Sequence, residues 1–465
     1  MKHRFFLLGA LLLVFVAQSF AAAPKYIFYF IGDGMGIAHV TNTQLYNSRV
    51  LRNDSPLVFT TFPVVSMATT HSASSDVTDS AAAGTALSTG YKTLNGMLGM
   101  TADSTAVISM ANVLQENGYG IGLLTTVAID DATPAAFYAH VPDRGSHYDI
   151  GRQLAASGYQ FAAGASLRGA YDAAGKPTDL MKYFEEENVS VSYGLESVDT
   201  TAERLLVLSP FHKESRNEIG YAIDSKPGAL TLPDLTRAGL QQLMRVSPDR
   251  FFMMVEGGSI DHAGHANDGA TAMHEVLAFN EALKVVYDFY LQHPDETLIV
   301  VTADHETGGM SVGNDATGYS VKLDKIAGQK ISKDEFGAIC RDIIKTKSKY
   351  SWSEMEALMR DKLGIGVNIK LSDEETAKLR NMFNEVFEER AAGYNRKTLY
   401  STFDGFTDAL FDIINTKAGI GWTSGAHTGM PVPVYAIGVD SQRFSSLNDN
   451  TDIPKKILSI AGLDR

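Results

Sequence analysis

From residue 24 to about residue 309, short unbroken apolar runs alternate with helical patterns. The runs are 25–31 (KYIFYFI), 121–127 (IGLLTTV), 251–255 (FFMMV) and 297–302 (TLIVVT). They lack the in-out alternation of a half-wet strand, so each reads as a strand buried on both faces. Residues 270–291, rich in Ala, Glu, Leu and Val, read as a long crossover helix. Buried strands separated by helices predict an α/β fold, with a mostly parallel central sheet and helices on both faces. From about 311 to 421 the chain turns charged and helical in pattern, as in 352–362 and 373–390, and poor in buried strands. A further strand pattern returns at 432–437. The 311–421 stretch therefore reads as a mainly helical insertion, serving as a cap over a site or as an oligomer contact. A second irregular stretch, 164–233, reads as peripheral. The chain shows no internal repeat and no long low-complexity tract.

Length and composition refine this picture. The chain has 465 residues, 45% of them hydrophobic and 20% charged, as expected of a globular protein with a large core. Lys2, His3 and Arg4 precede an apolar run at 5–16, and Ala21, Ala22 and Ala23 follow it. This is the three-part pattern of a secretory signal peptide over 1–23, followed by one catalytic unit over 24–465 and export to the periplasm or beyond the cell. The alternative, a membrane anchor, needs a run of about 20 apolar residues. No other stretch is long and apolar enough to span a membrane. Cys340 is the only cysteine, so no disulfide can form within the chain, and its helical surroundings make it a small core residue. The net charge of −14 argues against nucleic acid as a specific partner. It is compatible with an anionic substrate if the site holds divalent cations, which reverse the local sign.

The candidate chemistry lies just beyond the strands. Asp33 follows the first run, Glu256, Asp261 and His265 follow the third, and Asp304 and His305 follow the fourth. In doubly wound sheets ligands bind beyond the carboxyl ends of the strands, so these residues should converge. Asp and His are ordinary zinc ligands, and carboxylates with a hydroxyl suit magnesium. Any one of these Asp residues alone reads equally well as a helix cap. Ser80, before the Ala-rich stretch at 81–83, is either an N-cap or a nucleophile at a helix start, where free backbone N–H groups favour phosphate. Arg144, downstream of Asp131 and Thr133, offers a planar fork for phosphate oxygens.

The motifs IGDGMG (31–36), DSAA (79–82) with STG (88–90), DATPAA (131–136) with Arg144, VEGGSIDH (255–262) with His265, TADH (302–305) and HTG (427–429) occur in one order. In that order they resemble the alkaline phosphatase family across nearly the whole mature chain, most weakly in 311–421. The resemblance implies a secreted phosphomonoesterase with two Zn2+ and one Mg2+ per chain and a phosphoserine intermediate on Ser80. It implies a first zinc on Asp261, His265 and His427, and a second on Asp33, Asp304 and His305. Magnesium would be shared by Asp33, Thr133 and Glu256. Arg144 would grip phosphate, oriented by Asp79, with Asp131 and His262 acting through waters. His427 enters through the resemblance alone. The implied partners are small phosphate monoesters, and a homodimer is compatible with the family. The pairing of Asp131 with His262 combines features of different branches. His39, His71, His140, His147, His212, His274 and His293 match no ligand position and read as structural or surface residues. Two other readings stand beside this one. A sibling phosphodiesterase or sulfatase is one, although the Ser80 context lacks the Pro and Arg of a sulfatase. A noncatalytic phosphate- or metal-binding protein is the other.

Overall fold

The computed structural model describes residues 23–213, 217–346, 349–390 and 395–463. The expected signal peptide therefore lies, apart from Ala23, outside the described residues. Ten strands form the main sheet: β1 (Tyr26–Ile31), β2 (Val64–Thr69), β3 (Gly120–Thr125), β4 (Phe161–Gly164), β5 (Ser190–Tyr193), β6 (Leu205–Leu208), β7 (Phe251–Glu256), β8 (Thr297–Thr302), β9 (Val432–Gly438) and β10 (Asn448–Asp449). Their spatial order is β10-β2-β9-β8-β1-β7-β3-β4-β6-β5, and only β9 runs antiparallel to its neighbours. The sheet is mostly parallel, as the apolar runs predict, and β1, β3, β7 and β8 are buried at every position.

Register turns this sheet into a scaffold for a site. β1 pairs with β7 on one side and β8 on the other, so Ile31 lies opposite both Glu256 and Thr302. β3 continues the same level, with Thr125 opposite Glu256. The residues that follow these strands thus leave the sheet along one edge. Aromatic packing holds the central strands: Phe28 meets Phe251 edge-on at 5.5 Å, and Phe30 meets Phe279 at 5.5 Å. Each such fully buried side chain contributes about 1.5–3 kcal/mol relative to exposure.

Three helices carry or support the site. These are α1 (Ser80–Thr89), α2 (Ser259–Ala266) and the crossover helix α3 (Gly269–Tyr290). The 164–233 stretch differs from expectation. It contributes β5 and β6 to one end of the main sheet, and β6 is wholly buried. Strands of four residues are too short to show a period, so only tertiary pairing reveals them.

Residues 311–421 contain α4 (Lys333–Thr346), α5 (Trp352–Leu363), α6 (Asp373–Phe383) and α7 (Gly405–Ala418). Ser311 and Gly421 are direct partners in a short antiparallel ladder. The helical pattern read through residue 390 ends as a helix at Phe383 and passes into a π-turn over Asn384–Glu388. This segment has its own core of Phe336, Met359, Phe383, Phe406 and Leu410, which continues onto Ala270 and Met273 of α3. Cys340 lies buried in that core.

Candidate active site

Asp79, not Ser80, is the N-cap of α1: its Oδ1 accepts from Ala82 N at 2.9 Å. That leaves Ser80 as the first helical residue, buried among the free N–H groups of the first turn. Ser80 Oγ lies 3.2 Å from His305 Nε2. The same Nε2 is 3.1 Å from Asp304 Oδ2 and 3.4 Å from Asp33 Oδ1. Asp304 Oδ1 accepts from Gly34 N at 3.1 Å and His305 N at 2.9 Å, so backbone donors fix its second oxygen toward the site. Gly34 must be glycine here. Its φ is +72°, and a Cβ would sit 2.8 Å from Thr307 Oγ1 and 2.9 Å from Asp261 Cα.

A second group adjoins the first. His265 Nε2 lies 3.4 Å from Asp261 Oδ2, and His427 Nε2 lies 3.5 Å from Asp261 Oδ1. His427 arrives from far along the chain through a two-residue antiparallel ladder that sets it opposite Thr307. Its ring stacks on His305 with centroids 3.6 Å apart. The Nδ1 atoms of His265 and His427 contact the carbonyls of Gly425 at 2.7 Å and Thr78 at 2.9 Å. A carbonyl only accepts, so both Nδ1 atoms carry hydrogen and both Nε2 atoms turn inward, 3.1 Å apart. A proton or a cation has to lie between them.

Ligand atoms of Asp33, Asp304 and His305 lie within 4.8 Å of one another, as do those of Asp261, His305 and His427. His305 thus reaches both groups, and His265 joins the second by its contacts with Asp261 and His427. The third expected set also converges. Glu256 and Thr133 are both buried; Glu256 is close enough to Asp33 to repel its charge, Thr133 lies beside Glu256, and Glu256 Oε2 accepts from the Thr125 hydroxyl. Asp33 Oδ1, Asp261 Oδ2, Asp304 Oδ2, Glu256 Oε1 and Thr133 Oγ1 are all buried without a hydrogen-bond partner. Unmatched buried acceptors are costly, and four carboxylates with three imidazoles form a donor set that suits divalent cations. Burial pushes Asp33 well above the usual carboxylate range, and repulsion from Asp304, Asp261 and Glu256 adds to it. Burial likewise pushes Glu256 up to about 8. Burial also opposes ionisation of Asp261, yet His265, His427 and His305 outweigh it and hold that carboxyl well below the usual range. Asp261 correspondingly overrides burial at His427 and raises it to about 9.

Arg144 lies beside α1. Its guanidinium donates to Asp79 Oδ2 at 3.1 Å and to Asp131 Oδ1 at 3.0 Å. His262 Nδ1 contacts Glu218 Oε2 at 2.9 Å, and the ring of Tyr400 covers His262 with centroids 3.6 Å apart. All the residues expected at the site therefore lie in one region. Sequence reading missed Thr307, Arg168, Glu218 and Tyr400. Thr307 donates to Asp261 Oδ1, and its hydroxyl oxygen lies 3.2 Å from His305 Nδ1. Arg168 donates to Asp131 Oδ2 at 2.8 Å.

A mostly parallel α/β sheet with carboxylates, imidazoles and a helix-start serine gathered at its carboxyl edge defines a phosphoester-hydrolase class of enzyme. Comparison with known proteins narrows the class. The alkaline phosphatase family profile matches residues 24–166 and 207–463. Alkaline phosphatase 3 of Bacillus subtilis (strain 168) is 30% identical over 447 residues, covering 93% of this chain and 88% of its own. The crystal structure of a cold-active alkaline phosphatase from the psychrophile Shewanella sp. superposes with a TM-score of 0.77 at 29% identity, covering 94% of this chain and 100% of that one. The Thermus thermophilus alkaline phosphatase gives a TM-score of 0.76 at 25% identity, covering 96% and 93%. The chain belongs to the alkaline phosphatase family, and it is an enzyme of that family's phosphomonoesterase type.

Proposed function

We propose that the protein is an exported phosphomonoesterase that works through a phosphoserine on Ser80, with two zinc ions and one magnesium ion. The observation that carries this reading is the juxtaposition of Ser80 Oγ with the orphaned acceptors of Asp33 and Asp304 around His305 Nε2. Asp261, His265 and His427 would hold the first zinc; Asp33, Asp304 and His305 would hold the second. Asp33, Thr133 and Glu256 would hold the magnesium. When bound, the ions would lower the pKa of the serine hydroxyl and of water and offset charge on the departing oxygen. The chain's own residues supply the rest. Arg144, held between Asp79 and Asp131, presents its free N–H groups to the phosphoryl oxygens. The N-terminal amides of α1 add donors and a positive dipole end. Ser80 loses its proton and attacks phosphorus, the bond to the leaving alcohol breaks, and water then cleaves the phosphoserine and restores the hydroxyl. Export follows from the basic, apolar and small-residue pattern of the first 23 residues. Among the described residues no helix is long and apolar enough to cross a membrane.

Trapping tests the nucleophile. Acid quenching during turnover of a labelled aryl phosphate should leave label on the peptide that contains Ser80. Ser80→Ala should take no label, keep its bound metal and lose about 10³-fold or more in kcat. Label on that variant would remove Ser80 from the role.

A further inference from the structure

We propose that Arg168 is a positioning residue for phosphate binding, acting on Arg144 through their shared carboxylate, Asp131. The inference rests on the phosphomonoesterase reading and deepens it. Arg168 lies outside the residues that the family profile matches. It is nevertheless built into the site at both backbone and side chain. Asp130, fully buried, accepts Arg168 N on Oδ1 at 2.9 Å and Gly169 N on Oδ2 at 2.8 Å. A Cβ on residue 169 would stand 2.4 Å from His147 O, so the tight turn that presents Arg168 depends on glycine. The next residue, Asp131, then takes the Arg168 side chain on Oδ2 at 2.8 Å while Oδ1 takes Arg144 at 3.0 Å. Two adjacent acids after β3 thus fix one arginine by its main chain and its guanidinium.

Electrostatics gives this arrangement a purpose. Without Arg168, the clamp is one guanidinium between the carboxylates of Asp79 and Asp131, a group of net charge −1. That group would meet a phosphate dianion unfavourably. Arg168 brings the group to neutrality and draws half of Asp131 away from Arg144. Arg144 then keeps both its position and its pull on phosphate oxygens. The two guanidiniums retain side-chain exposures of only 24% and 19%, so solvent screens their effect on Asp131 weakly. Arg168 Nε is buried and unpartnered, so the guanidinium has donor capacity beyond the single bond to Asp131.

The test uses the full mature chain loaded with metal, comparing Arg168→Met and Arg168→Lys with the parent. KM and kcat are measured for an aryl phosphate monoester, and the inhibition constant is measured for inorganic phosphate. Arg168→Met should raise KM and the phosphate inhibition constant together by about tenfold, while kcat changes by less than about threefold. Arg168→Lys keeps the charge and should recover most of that loss. An unchanged inhibition constant in Arg168→Met, or a Lys variant no better than Met, would overturn the proposal. If Arg168→Met fails to fold, Arg168→Lys decides alone: phosphate inhibition within about threefold of the parent supports the charge role, and a tenfold weakening refutes it. A parent chain that neither turns over the monoester nor binds phosphate would defeat the underlying reading instead.

Discussion

At Thr307 a single hydroxyl serves two site residues. It donates to Asp261 Oδ1 and leaves its oxygen to His305 Nδ1 at 3.2 Å, which turns His305 Nε2 toward Ser80. Such partners orient ligands and set their tautomer. Thr307→Val should therefore weaken metal retention by about 10–100-fold, read by competition with a chromophoric chelator; an unchanged affinity would contradict this role. Glu275 illustrates a different residue-level effect, away from the chemistry. Burial pushes its carboxyl up to about 8, although Oε1 accepts from Ala222 N. Its folded pKa exceeds its unfolded one. Its contribution to stability is thus present at acidic pH and is lost as pH rises from about 4.5 through 8. Glu275→Gln keeps the acceptor and removes the charge. It should raise Tm at pH 9 by about 1–2 °C and leave Tm at pH 4 nearly unchanged, as followed by calorimetry. A Tm gain of the same size at pH 4 would exclude titration as the cause.

At the scale of elements, helix α2 is the piece most dependent on distant sequence. It carries Asp261, His262 and His265, and its last carbonyls are capped by cations from the 311–421 segment. Lys333 donates to Ala266 O at 2.9 Å and to Asp408 at 2.7 Å, and lies 4.6 Å from the centre of the Phe403 ring. Arg396 donates to His265 O at 3.2 Å and to Asp408 at 3.1 Å. Cations at a helix C-terminus complement its dipole and satisfy its orphan carbonyls. Lys333→Met should cost about 3 kcal/mol, because it takes this donor from the Ala266 carbonyl and leaves Asp408 with Arg396 alone, and denaturant unfolding would measure the loss. A loss below about 0.5 kcal/mol would show that the cap is idle. The same contacts explain what the sequence could and could not reveal. Asp33, Glu256, Asp261, Asp304 and His305 were readable because each follows a continuous apolar run, and strand register carries them to one edge. His427 reaches the site through a two-residue ladder, which leaves no periodic trace, and family resemblance alone pointed to it. Arg168, Tyr400 and the Lys333 cap depend on contacts between segments far apart in sequence. The only local hint of Arg168 was the pair Asp130-Asp131, two adjacent acids of which one helix cap explains only one. β5 and β6 were hidden for the same reason of length.

For the whole molecule, a chain of net charge −14 has to attract a phosphate dianion. The acidic character extends into the site itself, where Asp33, Asp261, Asp304 and Glu256 face one another with buried, unmatched oxygens. Bound divalent cations would make that cluster both stable and attractive to phosphate. The sheet supplies the rigid edge, and Lys333 and Arg396 of the 311–421 segment hold the C-terminal end of α2. Tyr400, from the same segment, covers His262. Turnover of phosphate monoesters should therefore depend on bound metal. The direct measurement strips the mature chain with a chelator and follows product release from an aryl phosphate monoester, its diester and its sulfate ester, before and after zinc and magnesium are restored. The stripped protein should show no turnover, and rapid turnover of the monoester in strong preference to the other two should appear once the ions return. Undiminished activity in the stripped protein, or preference for the diester or the sulfate ester after reconstitution, would rule out a metal-dependent monoesterase.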